Sequence, residues 1–238
     1  CVPALTVVFA SLVGVALAFV FPFVQTGLKA ASTLIDSTGV FGAFIYGFSE
    51  RMLLPFGLHH FIYLPFFFTS LGGSIQVDGQ TVEGAVNIYN AMLNTPGMMY
   101  DIDISKYVMN GKVLFAMCGL PAAALAIYHC ARPENKKKVG SLMIAAVIPA
   151  AIMGITEPLE YSFLFVAPVL YVVHALLCGI AYVLTYLVQF NVPGPSVFGG
   201  PLLSWIFNGI MNADKGSNWF WLIPLGIAYF GIYYVLFR

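Results

Sequence analysis

Long uncharged apolar runs alternate along this chain with short polar segments. A helix needs roughly 20 mostly apolar residues to cross a hydrocarbon core. Cys1 to Leu28, Val113 to Ala131 and Gly216 to Phe237 each lack charge, and each is predicted to be a spanning helix. The last places aromatic side chains toward both ends, as interface anchors would be. The uncharged stretch from Tyr161 to Ala213 exceeds one crossing, and Pro193, Gly194 and Pro195 interrupt it. It divides into a spanning helix up to about Gln189 and a shorter element from Val197 to Asn208. Two further apolar regions are broken and carry ionisable groups. Phe41 to Leu71 holds Glu50, Arg51, His59 and His60, while Ser141 to Pro168 holds Glu157 and Glu160.

Composition removes the soluble alternatives. Sixty percent of the 238 residues are hydrophobic and 8% are charged, against roughly a quarter charged in an average soluble domain. The ten acidic and ten basic residues cancel, leaving no basic surface for nucleic acid. Four cysteines, at positions 1, 118, 130 and 178, form no CxxC pair and have no histidine at ligand spacing. They read as small apolar fillers, with no metal site and no disulfide framework. Cys1 opens an apolar run without a starting Met or a basic segment before it, so the run is not a signal peptide and the chain is expected to begin inside a larger protein.

Charge placement sets the orientation. Arg132 to Lys138 holds four cations and one acid, whereas the polar insert from Ile75 to Lys112 holds four acids and two lysines. The bias of Lys and Arg toward cytoplasmic loops puts the first inside and the second outside. Short interfacial helices are predicted within the insert, for instance around Val86 to Met92.

The candidate chemistry lies in the broken regions, because an ionisable side chain at bilayer depth usually faces a polar cavity and serves a function. Glu157 sits in Gly154-Ile155-Thr156-Glu157-Pro158-Leu159-Glu160. Gly154 permits close backbone approach and Pro158 removes an amide donor, so regular helix is not expected to run through. Irregular backbone at membrane depth is tolerated where it is buried or lines a cavity, as in a re-entrant hairpin with Glu157 near its tip. An interfacial loop with solvated acids is the other reading. In the first broken region, Pro55 and Gly57 interrupt the helical spacing of Arg51 and His59. Glu50 and Arg51 pair locally or serve separately, and one of His59 and His60 is expected to function while the other packs. His129 reads as interfacial and His174 as a packing residue. Two interrupted segments with ionisable groups are the pattern of transporter hairpins converging on a midplane site. A carboxylate, an imidazole and a guanidinium among aromatics suit a sugar. No hydrolase triad, phosphate loop or nucleotide fingerprint is present.

These residues resemble a known family. Gly154 to Glu160 (GITEPLE), extended through Tyr161 to His174 (YSFLFVAPVLYVVH), is similar to the signature of the enzyme IIC subunits of the bacterial phosphotransferase system, glucose superfamily. Gly57 to His60 (GLHH) and Gly119 to Gly140 (GLPAAALAIYHCARPENKKKVG) fit the same family, and the likeness runs from about Gly47 to Arg238. The resemblance implies an all-α polytopic protein of the bacterial cell membrane, with spanning helices and two re-entrant hairpins, near residues 47–71 and 140–168. Residues 1–46 would end an interface region, and residues 47–238 would form the substrate-binding transport domain of a homodimer working by alternating access.

It further implies that Glu157 hydrogen-bonds sugar hydroxyls, with Thr156 beside it and with His59, His60 and Arg51 on the facing hairpin. A phosphorylated IIB partner would phosphorylate the sugar at its 6-hydroxyl on the cytoplasmic side, where His59 would orient that hydroxyl or relay its proton. No cofactor is implied. The chain lacks the phosphocysteine motif of IIB domains and looks short of the family's first helices. The run Phe61 to Phe68 (FIYLPFFF) is more similar to maltose and α-glucoside members than to glucose members. From the residues alone, three rivals stay open: a proton-coupled secondary transporter, an intramembrane hydrolase using Glu157 and His59, and a structural scaffold.

Overall fold

The computed structural model of the chain describes residues 6–15, 18–19, 22–23, 26–27, 30, 38–77, 79–107, 110–192 and 200–238. Helix α1 (Thr6–Val15) is apolar and exposed; the predicted crossing from Cys1 to Leu28 otherwise falls largely outside the described residues. Helix α2 (Val40–Leu53) ends in a 3-10 turn, Leu54–Phe56, and Gly57 takes the left-handed conformation at φ 70°. Pro55 at the start of that turn offers no amide to continue the α-helical ladder, and Gly57 reverses the chain at no Cβ cost. Helix α3 (His60–Phe68) follows, so the first broken region is a helix, a turn and a shorter helix.

The polar insert contains an element the hydropathy pattern did not suggest. Strands β1 (Ser74–Val77) and β2 (Gln80–Glu83) pair antiparallel, with Val77 opposite Gln80. The two-residue connection is Asp78-Gly79, a strong hairpin signal, and Gly79 has the positive φ that such turns need. Helix α4 (Ala85–Asn94) covers the predicted interfacial segment, and one turn of helix, α5 (Ile102–Ser105), follows. The insert is tied to the membrane region where the Tyr186 hydroxyl donates to the Asp103 carboxylate at 2.8 Å. That bond, with nearby Lys106, holds the Asp103 carboxyl below the usual range.

Among the described residues, three helices are long and apolar enough to cross a membrane. They are α6 (Asn110–Cys130), α9 (Pro168–Leu187) and the segment Trp219–Phe237, whose regular part is α11 (Leu222–Phe237). Within α6, residues Phe115–Gly119 widen into a π-turn. Pro121 explains it, since its ring crowds the carbonyl four residues earlier and it has no amide to bond there. The Leu120 amide instead reaches the Phe115 carbonyl. Helix α7 (Lys136–Met153) leaves the basic turn, the chain breaks at Gly154, and α8 (Glu157–Leu164) follows. The crossing predicted to start near Tyr161 starts instead at Pro168, because α8 ends in a turn and proline fits the first helical position. Helix α10 (Pro201–Ile210) overlaps the predicted short element; the Pro193 to Pro195 interruption lies outside the described residues.

The core is a bundle in which α2 lies along α9 and α6 packs against both α9 and α11. Close approach rests on small residues. The Tyr182 ring of α9 is held between Gly47 of α2 and Gly111 of α6, where a Cβ on either glycine would overlap the ring. Helix α7 lies on the far side of α6, and α10 packs on α7. Among the described residues the architecture is that of an all-α membrane protein with two interrupted helical segments, apart from the one small hairpin.

Candidate functional site

The two breaks meet around a buried ionic cluster. Arg51, in the last turn of α2, is 1% exposed. Its Nη2 donates to Glu50 Oε1 at 2.6 Å, and its Nη1 donates to Thr156 Oγ1 and Glu160 Oε1 at 3.0 Å each. The guanidinium also lies 5.1 Å from the centre of the Phe115 ring. Glu160, fully buried on α8, has Oε1 3.2 Å from His174 Nε2 of α9. His174 Nδ1 lies 2.9 Å from the Tyr233 hydroxyl of α11. The Tyr182 hydroxyl closes the other side, donating to Glu50 Oε2 at 3.4 Å, while the Tyr171 hydroxyl donates to the Arg51 carbonyl at 2.6 Å. Charges taken this far from water need partners with good geometry. Here one cation is shared by two carboxylates, and four helices and the α7–α8 break meet in one cluster.

Glu157 stands apart from it. It occupies the first position of α8, half-buried, and makes no hydrogen bond or ion pair among the described residues. It lies within electrostatic range of His59, Tyr63 and Lys112. His59, half-buried at the start of α3, has an Nδ1 that is buried without a hydrogen-bond partner among the described residues. Its ring centre lies 4.1 Å from that of exposed His60, whose Nδ1 contacts the Tyr63 hydroxyl. The Glu157 carboxylate and His59 Nδ1 are both without hydrogen-bond partners among the described residues, and the charge of Glu157 acts on His59, Tyr63 and Lys112.

Backbone contact fixes the carboxylate's position. Gly154 caps α7 in the left-handed conformation at φ 74°. The Gly200 amide donates to the Ile152 carbonyl at 3.0 Å. Gly200 lies so close that a Cβ there would overlap the Gly154 amide and the Met153 backbone. The N-terminus of α10 is thus set directly on the turn that carries Thr156 and Glu157.

The structure accordingly sorts the residues singled out in the sequence. Glu157 and His59 are half-buried and His60 is exposed. Arg51 and Thr156 fall in the interior, where both terminal nitrogens of Arg51 and the Thr156 hydroxyl are engaged by protein while Arg51 Nε is buried without a partner among the described residues. Glu50 pairs with its neighbour Arg51, as the adjacent charges suggested. His129 is exposed and bonded to Tyr234, and His174 is buried with both ring nitrogens partnered. Glu160 emerges as the hub of the cluster, a role the heptapeptide did not reveal. Lys112 and Tyr63 were not singled out; Lys112 ends the acidic insert, and Tyr63 stands one helical turn after His59. No group of three or more His, Cys, Asp or Glu side chains among the described residues could hold a metal ion.

Long apolar helices together with interrupted helical segments that bring ionisable groups inside an apolar bundle are those of an all-α membrane protein. The family described as "Phosphotransferase system, EIIC" matches residues 1–179, and the chain belongs to that family. It is 38% identical over 238 residues, all of this chain, to 44% of the "PTS system maltose-specific EIICB component" of Escherichia coli K12. It is 41% identical over 223 residues, 93% of this chain, to 32% of the "PTS system glucose-specific EIICBA component" of Staphylococcus saprophyticus. Over 237 residues, 99% of this chain, it is 42% identical to 33% of the "PTS system glucoside-specific EIICBA component" of Staphylococcus carnosus. The chain spans less than half the length of each of these curated relatives.

Proposed function

We propose that this chain is the sugar-binding part of a membrane permease of a phosphoenolpyruvate-dependent phosphotransferase system, with maltose or a related glucoside or glucose as its sugar. The observation that carries the reading is the face formed by Glu157 and His59. A carboxylate without hydrogen-bond partners accepts from adjacent sugar hydroxyls, and the exposed edge of the half-buried His59 imidazole accepts or donates according to its tautomer. Family membership and relatives named for maltose, glucose and glucosides support the substrate class. The buried Arg51 cluster, with Thr156, holds the two breaks in register behind that face.

The names of the relatives join the C and B components in one chain, which favours a phosphorylated IIB domain as the partner. Transfer to the sugar would break the phosphorus–sulfur bond of a IIB phosphocysteine and form an oxygen–phosphorus bond at the 6-hydroxyl, whose proton leaves by way of His59 or water. The setting we favour is a homodimer in the bacterial cell membrane, with residues 47–238 as the mobile transport domain.

Binding of radiolabelled maltose and glucose to the full-length protein in detergent tests this reading. Glu157→Gln is expected to weaken binding about tenfold to a hundredfold, the loss of charge-assisted hydrogen bonds, without lowering thermal stability. His59→Ala is expected to weaken it less. Retention of binding by the Gln variant, or binding of neither sugar by the wild type, would sink the proposal at its central residue. Recovery of free sugar instead of sugar phosphate inside phosphorylation-competent vesicles would point to a proton-coupled transporter.

A further inference from the structure

Away from the sugar face, the packing of α7 on α6 leaves an open groove of about 640 Å³ on the outside of the bundle. Leu125 of α6 and Ile144, Val147 and Ile148 of α7 give it apolar walls. Ile144 and Ile148 are 63% and 52% exposed, so these walls are not closed by the bundle itself. At the end nearest the basic turn the lining changes to Lys136 and Lys137. The Lys136 ammonium lies 5.1 Å from the centre of the Tyr128 ring, which holds it at the rim. Gly140 packs against the same ring and lets the two helices meet beneath it. Glu134 is the single acid in the Arg132 to Lys138 turn, so the rim keeps a positive balance. That turn faces the cytoplasm by the distribution of charge in the loops.

A free phosphate or nucleotide would account for the lysines and not for the apolar walls beneath them. An uncharged lipid or sterol would account for the walls alone. We propose that the groove binds an anionic glycerophospholipid of the inner leaflet, its phosphate held by Lys136 and Lys137 and one acyl chain lying along Leu125, Ile144 and Ile148. Basic pockets between helices on the cytoplasmic side suit such headgroups, and the rest of the groove supplies the hydrocarbon contact. The site would be separate from the sugar face, which lies at the opposite end of α7.

Native mass spectrometry of the full-length protein with added phosphatidylglycerol or phosphatidylcholine tests the assignment. The wild type is expected to retain phosphatidylglycerol in preference to phosphatidylcholine. The double variant Lys136→Gln/Lys137→Gln is expected to lose that preference by about tenfold or more, from roughly 1 kcal/mol for each basic group. Lys138→Gln removes the same charge from the turn without touching the groove and is expected to behave as wild type. An equal loss in Lys138→Gln would mean general attraction to a basic turn and would overturn the site, as would equal retention of the two lipids. A photo-crosslinking residue at position 148, activated in membranes, is expected to yield a lipid adduct. A peptide adduct there would show that another protein segment fills the groove, and the proposal would fall.

Discussion

Arg51 presents a planar fork of N–H donors, and acceptors from Glu50, Thr156 and Glu160 stand within 3.0 Å of it. Such a side chain is replaceable neither by lysine, which lacks the fork, nor by a neutral group, which leaves two buried carboxylates uncompensated. Arg51→Met is therefore expected to destabilise the protein by about 3–5 kcal/mol. Thermal unfolding in detergent should show a clear drop for it and little change for Glu157→Gln. Part of this chemistry was legible in the chain itself. The Glu50–Arg51 pair follows from adjacency, and the break that carries Glu157 from Gly154 and Pro158. The rest needed tertiary structure: Glu160 reaches His174 only because α8 and α9 fold back on one another, and Tyr233 joins from another crossing. No spacing rule connects residues so far apart in sequence.

Both interruptions were legible at the scale of elements, because proline and glycine act locally. Pro55 with Gly57, and Gly154 with Pro158, mark the ends of α2 and α7 within a few residues. The β-hairpin was missed although its Asp-Gly turn signal was present, since strand alternation over four residues is faint in an insert read for helices. The docking of Gly200 on Gly154 had no signal, being a meeting of two distant backbones. Two alanine substitutions separate these kinds of glycine. Gly57→Ala meets no atom within 4 Å and carries only the strain of its φ, so it should cost about 1 kcal/mol. Gly200→Ala must push the α7–α8 turn aside. It is expected to cost about 1–3 kcal/mol and also to weaken sugar binding, because Glu157 moves with the turn. Unfolding and binding measured on both variants would show the contrast; normal binding by Gly200→Ala would mean that the turn position does not govern the face.

For the molecule as a whole, the apolar runs predicted the three long crossings, at least in their centres, while the mutual arrangement of the helices came only with the packed side chains. The orientation drawn from loop charges has a direct chemical test in the thiols. Cys130 is exposed beside the basic turn, whereas Cys178 is fully buried among His174 and Tyr233. With Cys130 as the one cysteine kept in the protein, a membrane-impermeant maleimide is expected to label inside-out vesicles and to spare right-side-out ones. With Cys178 kept instead, neither preparation should react. Labelling of Cys130 from the outer side would invert the topology and remove the cytoplasmic placement of the lysine rim.

The Tyr182 ring between Gly47 and Gly111 carries a consequence for descent. Neither glycine tolerates a side chain while the ring is present, and loss of the ring leaves a void that position 47 can grow into but position 111 cannot, because a Cβ there would also meet the backbone amide of residue 182. Single changes at positions 47 and 182 are each disfavoured, whereas a matched pair, a small residue at 182 with a larger one at 47, restores the contact. Diverging copies of this chain should therefore vary at positions 47 and 182 in concert while 111 stays glycine, and a library randomising the pair together should return functional members that no one-at-a-time scan would predict.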